Sequence, residues 1–129
     1  MIETVIDSSV LTDIMLGELS REKNLIILKN GVTIDLAVKE TINAIWKHVN
    51  FFNLNEEYGE ELVNRVQSLF IKFEDQRRFY GKAFRISVDN NITVYDSLFI
   101  ALSLERNARL ATLDRKQADV ARSLGVEVV

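Results

Sequence analysis

A chain of 129 residues, 47% of them hydrophobic, has the size and apolar content of one domain spanning 1–129, with a single core. It contains no cysteine and one histidine, His48, which excludes a disulfide framework, a thiolate zinc site, a cysteine nucleophile and a multi-histidine metal site. With 16 basic and 19 acidic residues the formal charge is -3, so no global positive field recruits nucleic acid and any phosphate contact must be local.

Thr4-Val5-Ile6 is a short β-branched run that stops at Asp7-Ser8-Ser9, where a helix is expected to start and run to about Gly17. A second helix is expected over 18–29, ended by Asn30-Gly31, and Val32, Ile34 and Leu36 alternate as a second strand. From Ala37 the period changes: Ile42, Ile45, Trp46, Val49 and Phe52 form one helical stripe, with a polar row of Glu40, Asn43, Lys47 and Asn50 on another face. Asn55-Glu56-Glu57 caps a long helix whose apolar positions Leu62, Val66, Leu69, Phe70 and Phe73 keep the 3.6 period. A further helix is expected over 79–89. The stretch 95–104 is apolar except for Asp96, Ser97 and Ser103 and reads as a helix buried on most sides. A strand over 109–112, a helix over 114–124 ended by Gly125, and a last strand over 126–129 complete the chain. Strands alternating with helices imply an α/β fold, a mainly parallel sheet with helices on both faces.

There is no proline, linker, repeat or low-complexity tract to mark a boundary. No apolar stretch reaches the ~18 residues needed to span a bilayer. Met1 leads into Ile-Glu-Thr rather than an export signal. The expected location is the cytoplasm.

Ligands of open α/β sheets bind at the carboxyl ends of the strands. Asp7 follows the first strand, Glu40 opens the helix after the second, Asp114 follows the strand over 109–112, and Asp96 enters from the start of a buried helix. Carboxylates about 5 Å apart repel by roughly 3 kcal/mol per pair at an effective dielectric of 20. A set of four therefore needs a cation, protonation or separation. Oxygen ligands without thiolate or imidazole point to Mg²⁺ or Mn²⁺ rather than zinc. Each acid also has a structural explanation at a helix N-terminus: Asp7 as a cap, Asp96 within Thr93-Val94-Tyr95-Asp96, and Asp114 within a capping pattern ending at Gln117. Asp96 is the hardest to explain that way, since an ionised group in so apolar a segment needs a partner.

Taken together, Val-Ile-Asp7-Ser-Ser-Val-Leu, Glu40-Thr-Ile-Asn43-Ala, Tyr95-Asp96-Ser-Leu-Phe-Ile-Ala-Leu-Ser, and Leu-Ala-Thr112-Leu-Asp114-Arg-Lys with a closing Gly-Val-Glu-Val resemble the PIN domain. Their order and spacing are most similar to the stand-alone VapC-type toxin ribonucleases, over essentially the whole chain. The resemblance implies a three-layer α/β/α fold around a mainly parallel five-stranded sheet. It also implies an acidic pocket in which Asp7, Glu40, Asp96 and Asp114 hold one or two Mg²⁺ or Mn²⁺ ions for hydrolysis of RNA to a 5′-phosphate and a 3′-hydroxyl. Thr112 matches a family hydroxyl that orients water at the metal, and Ser8 and Asn43 are supporting candidates, with a cap and a surface amide as their alternative roles. Where some relatives carry another acid, two residues after Asp114, this chain has Lys116, which puts a fifth ligand in doubt. The family further implies a homodimer and a small antitoxin partner, for which Leu11, Ile14, Met15 and Leu19 offer apolar surface unless they pack on the sheet.

Arg78, Lys82 and Arg85 fall on one helical row that can contact phosphates or form a solvated face. Lys47 shares the face of Glu40 and is either a phosphate contact or a surface lysine. Trp46, Phe51 and Phe52 read as core or dimer contacts rather than base-stacking platforms. Three other readings compete. One is a PIN-fold scaffold without activity, or a processing nuclease in place of a toxin. Another is a phosphoryl-accepting receiver domain, which needs an acidic pair after the first strand that is missing here. The third is a metal-free interaction module whose acids are only caps.

Overall fold

The computed structural model describes residues 2–17 and 20–129. Strand β1 (Thr4–Ile6) leads directly into helix α1 (Ser8–Leu16), because Asp7 caps the helix by accepting from the Val10 amide, and Gly17 ends it in the left-handed region at φ 74°. Helix α2 (Arg21–Leu28), capped by Ser20, is followed by β2 (Gly31–Ile34) and the long α3 (Asp35–Phe51). The expected start of α2 at Glu18 lies outside the described residues. Helix α4 (Glu56–Gln67), β3 (Lys72–Glu74), a 3₁₀ turn (Gln76–Phe79), α5 (Tyr80–Asn90), α6 (Val94–Arg106), β4 (Arg109–Ala111) and α7 (Arg115–Ser123) follow.

The sheet has the order β3-β2-β1-β4 and every pairing is parallel. All residues of β1 and β2 are buried, as expected for strands covered on both faces. The expected last strand over 126–129 is reduced to a single parallel bridge from Val128 to Leu110, held by Val129 N–H to the Leu110 carbonyl at 2.9 Å. It therefore occupies the fifth position beside β4 without extending the ladder. The crossover from β1 runs one way to β2, and β4 returns on the other side, so the point where strand order reverses lies between β1 and β4. Asp7 and Thr112 stand at that reversal, where open α/β sheets bind their ligands.

Two stretches depart from the helical periodicity of the sequence. Helix α4 stops at Gln67, and Phe70 is fully exposed (100%). Residues 72–74 instead pair with the open edge of β2, which supplies backbone hydrogen bonds that a continued helix would forfeit at that edge. In α3 the buried residues are Ala37, Thr41 and Ile45, whereas Trp46 (49%), Phe51 and Phe52 (67%) are exposed rather than core. Helix α4 approaches α3 closely at Gly59, where a Cβ would lie 2.8 Å from Val49 Cγ2. The exposed aromatics meet their own neighbours, Trp46 edge to face with Phe51 at 5.7 Å and Phe52 with His48 at 5.3 Å. Conversely Leu11 and Met15 are buried in the core and Ile14 packs against it. These three do not supply a free interface, and Leu19 lies outside the described residues.

Arg106, at the end of α6, donates to both oxygens of Glu3 (2.8 and 2.7 Å) and to Glu74. One guanidinium thereby ties the residue before β1 to the end of β3. Arg106 holds the Glu3 carboxyl below its ordinary value of 4.5, by hydrogen bonding first and charge second, against the opposing effect of burial. A lowered carboxyl contributes full stability above its ordinary value and loses it as the pH falls through the lowered one. In thermal melts the wild type is therefore expected to exceed Glu3→Gln near neutrality, and the gap is expected to close as the pH drops below the ordinary carboxylate range. A gap that stays constant with pH would assign the effect to packing.

Candidate active site

The site is built outward from the Asp7 carboxylate, which is buried at the end of β1. Its Oδ1 accepts from the Ser9 hydroxyl (2.7 Å) and the Val10 amide (2.9 Å), and its Oδ2 accepts from the Thr112 hydroxyl (2.5 Å). Ser9 also accepts from the Leu113 amide (3.0 Å) and Thr112 from the Asp114 amide (3.0 Å). The loops after β1 and β4 are thus laced together around one negative charge. Burial pushes the Asp7 carboxyl above its ordinary value; the bonds from Thr112, Val10 and Ser9 pull it back only in part, and the charge of Asp96 adds to the rise.

Asp114 caps α7 by accepting from the Gln117 amide (3.0 Å). The Gln117 side chain does not complete the capping pattern. It is buried, places Oε1 3.2 Å from the Thr112 hydroxyl and donates Nε2–H to the Asp96 carbonyl (3.2 Å), fastening α7 to the first turn of α6. Thr93, not Asp96, caps α6, so the Asp96 carboxyl is left half-buried without a capping role. It is raised above its ordinary value by burial first and by Asp114 second, with Glu40 adding to the rise, while the Thr93 bond and Lys116 oppose. Lys116 itself donates to the Asn91 carbonyl (2.8 Å). Glu40, on the exposed side of α3, accepts from the Ser8 hydroxyl (2.6 Å).

Asp7, Asp96, Asp114 and Glu40 therefore form one electrostatic neighbourhood, and Ser8 and Thr112 stand beside them. Among the described residues no three carboxylates close into a ready-made ligand shell. The donor set is nonetheless all oxygen, includes a carboxylate raised chiefly by burial, and keeps lone pairs free on Asp7 and Glu40. That is the chemistry of a hard divalent cation. Asn43 and Lys47 line a cavity of about 360 Å³ with Glu40, and Thr112, Asp114 and Arg115 share another of about 420 Å³. Of the basic row on α5 and the turn before it, Arg78 is engaged by Glu74 and Glu105 and Arg85 by Asp89. Lys82, on the same row, is exposed. Sequence reasoning passed over Ser9 and the Gln117 side chain. The first was legible as a hydroxyl two residues after an acid that begins a helix, and the second as the third residue of the Asp114 cap.

A parallel α/β sheet with acidic side chains gathered around its strand reversal defines the class, and residues 4–123 match the PIN domain model: the chain belongs to the PIN domain family. It is 30% identical to Ribonuclease VapC3 of Pyrobaculum aerophilum over 89 residues, 67% of this chain and 68% of that protein. The fold is similar to that of PAE2754 from Pyrobaculum aerophilum (TM-score 0.79, 20% identity, 99% of this chain and 84% of that one). It is also similar to FitAcB from Neisseria gonorrhoeae (TM-score 0.63, 18% identity, 97% and 95%).

The electrostatic cost at Asp7 has a direct test. With chelator present at pH 7, Asp7→Asn is expected to stabilise the protein by ~1 kcal/mol, because the amide keeps the Val10 cap and removes a desolvated charge. Thr112→Val is expected to cost about 1–3 kcal/mol by depriving the carboxylate of its shortest hydrogen bond. Denaturant unfolding of both variants checks the pair of signs; a destabilised Asp7→Asn would show that the hydrogen bonds outweigh the burial.

Proposed function

We propose that this chain is a Mg²⁺- or Mn²⁺-dependent endoribonuclease and the toxin of a toxin–antitoxin pair, with Asp7, Glu40, Asp96 and Asp114 as the residues that hold the ion. One observation carries the reading: among the described residues none of the ion pairs includes any of these four acids. Negative charge at the sheet end is left without an ion-paired counterion, Lys116 acting on Asp96 without pairing to it, and a divalent cation is the species that relieves it. When bound, the ion activates water for in-line attack on a phosphodiester and offsets charge on the leaving oxygen.

The chain's own part is positional. Ser9, Val10 and Thr112 fix the rotamer of Asp7, and the Asp114 amide orients the Thr112 hydroxyl, which aims its proton at Asp7. Gln117 sets the spacing between Asp96 and the β4 loop, and Ser8 directs Glu40 toward the start of α1. Such support keeps ligands within the small tolerances that metal sites require. Similarity to a VapC ribonuclease supports RNA as substrate, hydrolysed to a 5′-phosphate and a 3′-hydroxyl. The same resemblance supports a homodimer, and a small antitoxin that covers the pocket. None of the helices among the described residues is long and apolar enough to cross a membrane, which accords with a cytoplasmic site of action. Asp7 and Asp114 do serve as helix caps, and this favours a second reading, a metal-free PIN-fold binding module.

RNA cleavage with Mg²⁺ or Mn²⁺, with and without chelator, separates the two. Chelation is expected to abolish cleavage, and Asp96→Asn is expected to lower kcat/KM at least ~100-fold, or ~2.7 kcal/mol, in a protein that stays folded. Calorimetry should show saturable Mn²⁺ binding that Asp96→Asn removes. Cleavage that survives both chelation and the substitution would sink the proposal, and absence of both cleavage and Mn²⁺ binding would favour the binding module.

A further inference from the structure

Most cationic side chains of this protein are spent on neighbours. Lys39 pairs with Asp35, Arg78 with Glu74 and Glu105, Arg85 with Asp89, Arg106 with Glu3 and Glu74, and Arg122 with Asp119. Lys47 and Arg115 differ. Among the described residues neither makes an ion pair or a hydrogen bond through its side chain, although each lines a cavity walled by one of the four acids: Lys47 beside Glu40 and Arg115 beside Asp114. Among the described residues Arg21, Lys23, Lys29 and Lys82 also make no side-chain ion pair or hydrogen bond, but none of these four lines either of the two acid-walled cavities.

The position of Arg115 is costly for the fold alone. It is the first residue of α7, whose first turn holds no acid, and a cation at a helix N-terminus faces the positive end of the dipole. Adjacent helical residues project in different directions, so Arg115 is not placed to neutralise Asp114. An unfavourable charge with no internal partner, opening into a cavity shared with Thr112 and Asp114, is placed to meet an external anion. Lys47 offers the same on the other side, two turns along α3 from Glu40.

We propose that Lys47 and Arg115 hold the phosphates on either side of the scissile one, so that a single-stranded RNA segment crosses the carboxyl end of the sheet from the Arg115 cavity to the Lys47 cavity. This rests on the nuclease reading above and adds to it the path of the substrate and the two residues that hold it. Each cavity wall also holds a second cation, Lys39 or Arg122, already paired with Asp35 or Asp119, so one free charge per cavity suits a single backbone better than the two backbones of a duplex. The Arg115 cavity also has the exposed side chains of Leu113 and Val129 in its wall, an apolar surface for bases that a single strand can splay out.

The test is binding of a fluorophore-labelled, unstructured oligoribonucleotide in chelator, titrated across salt concentrations, with a hairpin duplex as a second probe. Lys47→Ala and Arg115→Ala are each expected to weaken single-strand binding about three- to tenfold and to reduce the salt slope by ~0.7, the double variant by ~1.4. Lys47→Arg and Arg115→Lys should restore the slope, and Lys23→Ala, a change to an exposed lysine on α2, should alter nothing. In cleavage the two alanine variants should raise KM more than they lower kcat. If the wild type cleaves RNA while the alanine variants keep its affinity, slope and KM, the path is wrong and the nuclease reading stands. Tighter binding of the duplex, or no wild-type binding at low salt, also overturns the path. A wild type that neither cleaves nor binds overturns both.

Discussion

The hydrogen bond from Thr112 to Asp7 joins the ends of β1 and β4 across the strand reversal, and the geometry of the site follows from it. A buried carboxylate costs several kcal/mol unless it is satisfied. Three donors, two from the first turn of α1 and one from the loop after β4, meet that cost in part, and charge-assisted bonds are the strong ones. Since the carboxyl remains above its ordinary value because of burial, the folded protein retains unfavourable electrostatics at this end. Groups perturbed by burial together with a like charge are characteristic of functional sites. The same bonds close the loop after β4 onto α1, so support of the charge and support of the sheet edge are one network.

Helix α6 extends this network through packing rather than charge. Every residue from Ser97 to Ser103 is buried, so the helix has little freedom to slide, and its first turn presents Asp96 at the edge of the core. At its other end Arg106 reaches Glu3 and Glu74. The acid thus lies in the N-terminal turn and the guanidinium in the C-terminal turn, each favoured by the helix dipole. Asp96 can remain charged in a mostly apolar helix because its exposed half, its terminal position and the Thr93 bond all act against the burial.

The elements that position the site were legible where local chemistry marks an ending. A β-branched run halting at Asp7-Ser8-Ser9, Thr93 before an apolar helix, and Asp114 before an amphipathic one are local signals, and the structure places β1, α1, α6 and α7 there. The rest depended on what lies across the fold. Helical periodicity marked a face on α3 but not how much of it other elements cover, and Trp46 and Phe52 stay exposed. Strand β3 has three residues, none of them buried, and exists because β2 offers an edge, so it carries no alternation of its own. The order of the four acids was visible in the sequence, whereas the Ser9 and Gln117 links needed the loops brought together.

The distribution of charge bears on why these acids stay unpaired. A domain shaped only for stability, with 16 cations available, would be expected to place some of them against its most crowded carboxylates, because like charges about 5 Å apart cost roughly 3 kcal/mol at an effective dielectric of 20. Here the cations go elsewhere: Arg106 and Arg78 to the rim near Glu3, Glu74 and Glu105, and Lys116, the nearest to Asp96, to a helix-terminal carbonyl. Intramolecular pairing at the sheet end would stabilise the free protein and, by the same amount, weaken any cation that must bind there, since a ligand contributes only its difference in affinity over what it displaces. Leaving the acids without ion pairs would keep that difference large for a cation binding there.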